Sequence, residues 1–160
     1  MQTVCSPICA SKLVKAVKKE ENERTKARKA AIKTIPELIK EAQFAFNAYI
    51  RTRDHSRPCI CCGQALTQEA VGGGYDCGHY RSTGSASHLR FNEDNAHGQR
   101  KVCNRYGAGR AVDYRIGLIQ RIGLARVEAL ESDNEVRKWD RETLLQIKET
   151  YKRKLKELQE

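Results

Sequence analysis

The segment from residue 54 to residue 110 places the strongest constraint on how this chain folds. Helical spacing of apolar residues is lost there, and Gly, Cys, His and Asn dominate, with three consecutive glycines at 72 to 74. Such a segment holds too few large apolar side chains to form a core of its own, and bound metal is a common substitute. The sequence therefore predicts short strands and loops that are held together by metal ligands.

The cysteines are the first candidates for those ligands. The chain has seven, at positions 5, 9, 59, 61, 62, 77 and 103. An odd number, behind an N-terminus without the apolar run of a signal peptide, favours thiolate metal sites over a disulfide framework. Cys59 and Cys62 form a C-x2-C knuckle that can hold one tetrahedral Zn2+. The other half is expected at Cys103, although Arg100 stands where the partner cysteine would be. Cys61 and Cys77 also fit buried apolar positions.

The composition indicates an anionic partner. Thirty Lys and Arg against 20 Asp and Glu give a formal charge of +10, and only 39% of the residues are hydrophobic. A basic protein gains affinity for nucleic acid because each neutralised phosphate releases counterions. A membrane surface is the rival partner, but no apolar run approaches the roughly 20 residues that cross a bilayer. We therefore expect a cytoplasmic DNA-binding protein with no membrane partner.

Four regions follow from the pattern along the chain. Residues 1–33 hold a short head with Cys5 and Cys9 and a basic helical arm, which is either a DNA-contacting arm or a soluble linker. Residues 34–53 form an amphipathic helix that a capping box at T-I-P-E begins. Residues 54–110 form the metal-rich centre. Residues 111–160 form helices, with a break at Gly123 and a final helix from about residue 140.

The centre also carries groups that suit hydrolysis of a phosphodiester. Asp76, His79 and Asn104 lie between or just after the cysteine positions. The reaction needs a base that activates water and a divalent cation that stabilises the charge on the phosphate. Carboxylate and amide oxygens suit Mg2+ or Mn2+, and an imidazole titrates near neutral pH. The sequence thus predicts a structural Zn2+ and a separate catalytic Mg2+ or Mn2+.

Several motifs resemble one protein family. They are the knuckle at 59 to 62, D-C-G-H-Y at 76 to 80, L-R-F-N-E-D-N-A-H-G-Q at 89 to 99, C-N at 103 and 104, and Y-R-I-G-L-I-Q-R-I-G at 114 to 123. Together they resemble the NinG or Rap recombination proteins of lambdoid phages. The resemblance implies a phage- or prophage-encoded endonuclease of the bacterial host cytoplasm. Its implied substrates are branched DNAs, including D-loops and Holliday junctions, and its implied partners include phage recombination proteins.

The layout is similar, more distantly, to the His-Me finger (HNH) site of phage endonuclease VII. That resemblance implies an α+β fold with a small zinc-stabilised ββα centre flanked by α-helices. By position, Asp76 and Asn104 would be metal ligands and His79 the general base. Asn95 and His97 would orient the loop or the base instead of binding metal.

Two departures from the family pattern bear on the metal sites. Arg100 replaces an expected zinc cysteine, so Cys59, Cys62 and Cys103 need a fourth ligand. That ligand could be Cys77, Cys61 or His97. The head offers only Cys5 and Cys9, which leaves open a metal shared between two chains or no metal at all.

Three functions therefore compete. The first is a metal-dependent endonuclease in which Arg81, Arg90, Lys101 and Arg105 contact phosphates. The second is a non-catalytic, zinc-stabilised DNA-binding recombination protein, a degenerate nuclease that uses the same cations. The third is a protein-interaction scaffold built on the terminal helices. A four-way junction has two-fold symmetry, so the first reading also favours a C2 homodimer.

Overall fold

A computed structural model describes residues 6–67 and 74–160 of the chain. At positions 29 and 30 it describes the backbone only. Cys5 lies outside the described residues. The chain divides into two compact units, residues 1–37 and residues 38–160. In the first unit, α1 (Pro7–Ile32) is a 26-residue helix whose described side chains are almost all exposed. Its first turn is capped where the backbone N–H of Cys9 donates to Ser6 Oγ at 3.2 Å.

Helix α2 (Ile35–Asp54) begins at the boundary of the two units. The backbone N–H and the hydroxyl of Thr34 both donate to Glu37 Oε2, at 2.7 and 2.8 Å, and so satisfy groups that an uncapped helix start leaves free. The helix then buries one apolar face in the second unit, which fits its three- and four-residue spacing of apolar positions. The buried positions are Leu38, Ala42, Ala45, Phe46, Tyr49, Ile50 and Asp54.

The centre of the second unit is a two-stranded antiparallel hairpin of β1 (Tyr75–His79) and β2 (Ala96–Arg100). Asp76 pairs with Gln99 and Gly78 with His97, so these four residues share one face. Cys77 and His79 belong to the other face.

The chain continues from β2 through a five-residue π-helical turn, Val102–Tyr106, and a tight loop. It then forms α3 (Ala111–Ile122), α4 (Leu124–Ser132) and α5 (Arg141–Glu157). Gly123 separates α3 from α4 with a positive φ of 86°. The Asp140 carboxylate caps α5 by accepting the N–H of Thr143 at 2.9 Å.

Each face of the hairpin packs against helices. Phe46 of α2, Cys77 of β1 and Tyr151 of α5 belong to one apolar cluster, in which the Phe46 and Tyr151 rings meet edge to face at 4.8 Å. Tyr114 of α3 and Val127 of α4 belong to a second cluster, and the Tyr114 hydroxyl donates to the carbonyl of Gly78 on the hairpin at 3.0 Å. The hairpin is therefore held from both sides, although it is too small to be stable alone.

This architecture confirms the α+β prediction. At the position where a ββα centre would have its helix, β2 is followed only by the π-helical turn, which is capped by Gly107, and by a loop that is left-handed at Ala108 and Arg110 (φ 49° and 48°). Two glycines and this conformation stop a helix from running on from β2. No helix among residues 6–67 and 74–160 is long and apolar enough to span a membrane.

A buried carboxylate joins three elements of the second unit. Asp54, at the end of α2, is fully buried and accepts the N–H of Gly98 in β2 at 2.8 Å. The Arg53 guanidinium donates to both of its oxygens at 2.8 and 2.9 Å, and Arg121 Nη1 of α3 lies 3.6 Å away. Burial alone would raise the pKa of Asp54, but the contacts with His97, Arg53 and Gly98 hold it well below its usual value. Asp54 is therefore ionised in the folded protein.

We predict that Asp54→Ala lowers the free energy of unfolding by about 3–5 kcal/mol, because it leaves buried arginines without their counter-charge. Asp113→Ala is the matched control, since Asp113 pairs with Arg110 at 2.7 Å on the surface. An exposed pair of this kind contributes about 0–1 kcal/mol. Urea unfolding followed by circular dichroism measures both. Equal losses in the two variants would contradict a special role for Asp54.

Candidate metal centre

Three of the cysteines converge on one point in the second unit. Suitable ligand atoms of Cys59, Cys62 and Cys103 all lie within 4.8 Å of one another. The knuckle turns tightly at Gly63 (φ 69°), where the Gly63 N–H donates to the Cys59 carbonyl at 3.0 Å. The π-helical turn brings Cys103 to the same place. Zinc–sulfur bonds of about 2.3 Å put the sulfurs of a tetrahedral site about 3.8 Å apart, so these thiols can close on Zn2+ with little movement.

The surroundings of the cluster favour a thiolate. A hydrogen bond from Cys61 and the N–H of Arg100 lower the pKa of Cys59 to about 4, although burial opposes them. The Arg100 N–H lies 3.3 Å from Cys59 Sγ. Burial and the neighbouring Cys62 raise the pKa of Cys103 to about 11. The surroundings thus favour the thiolate of Cys59, and a divalent ion would favour ionisation of the other two sulfurs as well.

Within the described ranges, no further Cys, His, Asp or Glu joins this group of three. Arg100 turns its guanidinium to Gln64 Oε1 and contributes only its backbone N–H to the cluster. Cys61 accepts a hydrogen bond from Gln99 Nε2 at 2.8 Å, and its Sγ lies 3.7 Å from the carbonyl of Gly109. Cys61 thus joins the knuckle to the loop after the π-helical turn.

The other two proposed fourth ligands lie elsewhere. Cys77 is buried in the apolar cluster on the α2 face of the hairpin, where burial raises its pKa to about 12. His97 uses both ring nitrogens: Nδ1 lies 3.1 Å from Arg53 Nη2, and Nε2 lies 3.1 Å from the Asp94 carbonyl. Cys77 and His97 thus lie outside the group of three thiols in this structure, and their assignment to the zinc site stays a prediction.

The structure brings Asp76 and Asn104 together. Asn104 Nδ2 lies 3.3 Å from Asp76 Oδ2, although 28 positions separate them in the chain. Arg105 holds the same carboxylate with Nε at 2.8 Å and Nη2 at 3.0 Å. Partial burial would raise the pKa of Asp76, but the hydrogen bonds from Arg105 and Asn104 outweigh it and lower the pKa. An ionised carboxylate and an amide thus face one another beside the cysteine cluster.

His79 lies on the opposite face of the hairpin from this pair. It follows Asp76 by three positions on β1, and its ring lies 6.0 Å from that of Phe46 of α2. Nε2 donates to the Arg90 carbonyl at 3.0 Å, which fixes the tautomer and leaves Nδ1 as the acceptor. Burial lowers the pKa of His79. The ring is thus neutral at physiological pH, but the structure does not place it with Asp76 and Asn104.

Asn95 connects the two ends of the hairpin loop. Its side chain is fully buried, Oδ1 accepts the N–H of Arg81 at 2.8 Å, and Nδ2 donates to the carbonyls of Arg81 and Leu89 at 3.0 and 3.2 Å. His97 belongs to the Asp54 cluster. Both residues make their hydrogen bonds inside the fold, and neither contacts Asp76.

Two of the four cations expected on DNA are used inside the protein. Arg81 donates to the carbonyls of Leu130 (2.8 Å) and Asp133 at the end of α4. Arg90 donates to the carbonyl of Thr83 at 3.0 Å. Their guanidinium groups thus bind loop carbonyls, and their assignment as phosphate contacts stays a prediction. Lys101 and Arg105 flank the Asp76–Asn104 pair, and the Arg105 side chain is 58% exposed.

Comparison with known proteins identifies the family. A family model described as the bacteriophage lambda NinG protein matches residues 1–160. The chain belongs to the NinG family. The protein ninG of Salmonella phage P22 is 39% identical over 175 residues, covering 98% of this chain and 84% of that protein. The protein ninG of Escherichia phage lambda is 39% identical over 173 residues, covering 96% and 82%. No solved structure matches the chain.

This NinG chain also has site residues that the sequence prediction missed. Asp54 falls on the apolar stripe of α2, four positions after Ile50. A charged residue on a buried stripe is rare, and that position could have indicated a buried ion pair. Gln99 is 1% exposed and donates to the carbonyl of Gly109 at 2.8 Å, which holds the loop after the π-helical turn. Nothing in the local sequence around Gln99 indicates that contact.

We predict that Arg100→Cys makes the NinG chain bind zinc more tightly, because a fourth thiolate would complete the tetrahedral set. The backbone at position 100 already contacts Cys59 Sγ. Competition with a chromophoric chelator gives the affinity, and Co2+ spectra show whether three or four sulfurs bind. Arg105→Cys, two positions beyond Cys103, is the control. Four-sulfur spectra from wild-type protein would mean that another residue already fills the fourth position.

We also predict that the NinG chain loses stability as the pH falls below about 6.5. Burial lowers the pKa values of His79 and His97 in the fold, so the unfolded chain binds more protons in this range. The stability that comes from the two neutral imidazoles is fully present above the pKa of histidine in the unfolded chain. It is lost as the pH falls through the lowered pKa values of the folded protein. His79→Gln should make the decline between pH 7 and pH 5 shallower in urea unfolding. An unchanged slope would contradict the neutral state assigned to His79.

Proposed function

We propose that this NinG-family chain is a structure-specific endonuclease that hydrolyses phosphodiester bonds in branched recombination intermediates, such as D-loops and Holliday junctions, with Mg2+ or Mn2+. The observation that carries the proposal is the contact between Asp76 and Asn104 at 3.3 Å. Two oxygen-bearing side chains meet on the basic side of the hairpin, and Asn104 directly follows Cys103 of the thiol cluster.

The donor set at this pair fits a hard divalent cation. A carboxylate and an amide supply oxygen ligands, which Mg2+ and Mn2+ prefer. The carboxylate already binds a cation, the guanidinium of Arg105. A bound ion would stabilise the negative charge that develops on the phosphate during hydrolysis. The Arg105 side chain is 58% exposed, so the guanidinium can exchange Asp76 for a phosphate oxygen once an ion occupies the carboxylate.

His79 is the proposed proton acceptor for the attacking water. Its hydrogen bond to the Arg90 carbonyl leaves Nδ1 with a free lone pair, and its lowered pKa keeps the ring neutral. His79 ends β1, so its ring lies near the rim of the hairpin. Asn95 positions the loop that begins after His79, because it binds the backbone of Arg81 on both sides.

The basic charge supports binding of DNA. The chain carries a formal charge of +10, and residues 100–110 contain four basic residues and no acidic one. Phosphate contacts position a protein on DNA without reading its sequence, which suits an enzyme selected by shape. A C2 homodimer would present two such surfaces to the paired strands of a four-way junction. Such recombination takes place in the cytoplasm of the host, where phage recombination proteins would be partners.

A second candidate function is a non-catalytic, zinc-stabilised DNA-binding protein. The position of His79 favours it, because the base and the candidate metal ligands lie on opposite faces of the hairpin. The basic residues and the thiol cluster would then serve DNA binding alone, without hydrolysis.

A nicking assay separates the two candidates. Labelled four-way junction and matched linear duplex are incubated with the full chain, with Mg2+ or Mn2+ or without either. We expect metal-dependent nicks in the junction, and we expect Asp76→Asn and His79→Gln each to slow nicking about 100-fold or more. Asp113→Asn, which changes an exposed acid outside the pair, should nick at the wild-type rate.

The outcomes discriminate between the assignments. Junction binding without nicks in either metal would support the non-catalytic candidate. Nicking that survives His79→Gln but not Asp76→Asn would keep the metal pair and remove His79 as the base. Nicking that survives Asp76→Asn would remove the proposed metal site.

A further inference from the structure

The π-helical turn exposes an aromatic side chain beside the candidate site. Tyr106 is 84% exposed, and Val102, four positions earlier on the same turn, is 61% exposed. Most aromatic residues of the second unit pack in its core. Single exposed apolar side chains are common on protein surfaces, so the support beneath Tyr106 and the charge around it decide what it can bind.

The turn that carries Tyr106 is firmly held. Cys103, in its middle, belongs to the thiol cluster, and the Gly109 N–H donates to the Cys103 carbonyl at 3.2 Å. The Gly109 carbonyl in turn accepts a hydrogen bond from the buried Gln99 at 2.8 Å. Both ends of the segment are therefore fixed to the hairpin and the knuckle. Tyr106 is exposed on a rigid support, so stacking on it costs little ordering entropy.

The charge around Tyr106 matches nucleic acid. Arg105 precedes it, and the side chain of Arg110, four positions later, is 45% exposed. Aromatic rings on a basic surface bind nucleobases by stacking, with little dependence on the base. An intact duplex covers the faces of its base pairs, whereas a branch point that opens on binding exposes the faces of the flanking pairs.

We propose that Tyr106 recognises the branch: its ring stacks on the open face of the base pair at the branch point, and Val102 packs beside it. The inference rests on the proposed DNA substrate and adds how this chain distinguishes a junction from a duplex. Arg105, which directly precedes Tyr106, binds the Asp76 carboxylate and so links the ring to the Asp76–Asn104 pair. Recognition and the cutting position are then set by one five-residue turn.

Binding measured without cleavage tests this inference. Fluorescence anisotropy of the full chain in Ca2+ gives the Kd for a four-way junction and for linear duplex. We expect Tyr106→Ala to weaken junction binding about fivefold or more and to change duplex binding little. Tyr106→Phe and Tyr106→Trp should keep the junction preference. Phe44→Ala is the matched control, since Phe44 is 75% exposed on α2.

A second readout reports the contact itself. 2-Aminopurine at the branch point should change its emission on adding wild-type protein, and Tyr106→Ala should abolish that change. Equal loss of junction and duplex binding in Tyr106→Ala, or an unchanged preference, overturns the inference. Wild-type protein without a junction preference overturns it too. A Tyr106-dependent preference without nicks in any metal would sustain the inference and remove only the proposed nuclease activity.

Discussion

The second unit depends on one buried charge. The Asp54 carboxylate ends α2, binds the outer edge of β2 through the Gly98 N–H and faces Arg121 of α3. A two-stranded hairpin buries little area of its own, so its position is set by what it is bonded to. The knuckle aligns on the same edge, because the Ile60 N–H donates to the Gly98 carbonyl at 3.2 Å. Asp54 therefore fixes the strand against which the cysteine cluster is built.

The metal cluster and the candidate site share a single structural element. Cys103 and Asn104 are consecutive in the π-helical turn, and Arg105 and Tyr106 complete it. Whatever holds Cys103 thus also sets the distance from Asn104 to Asp76. An arginine at position 100, where the sequence analysis expected a fourth metal-binding cysteine, would for this reason affect more than metal affinity, since a looser Cys103 would loosen every group on the turn. The hydrogen bond from Gln99 to Gly109 gives the turn a second support that does not need metal.

The sequence predicted the helix starts and breaks, which depend on local periodicity and capping. It did not predict which face of a strand a residue occupies or which distant partner a long side chain reaches. The capping box placed the start of α2, and Gly123 placed the break between α3 and α4. The opposite faces of Asp76 and His79 follow from the two-residue period of a strand, but only once β1 is known to include both. The internal use of Arg81 required knowledge of the end of α4, which lies about 50 positions away.

The ion pair between Asp76 and Arg105 would let one surface serve both the proposed metal and the proposed DNA. The Arg105 guanidinium binds both oxygens of Asp76, but the Arg105 side chain is 58% exposed, so a divalent ion or a phosphate can reach the pair and compete for either partner. Metal on Asp76 would release the guanidinium at the moment when a phosphate needs a cation beside it. The solvent-exposed side of Arg105 is thus what makes this exchange of partners possible.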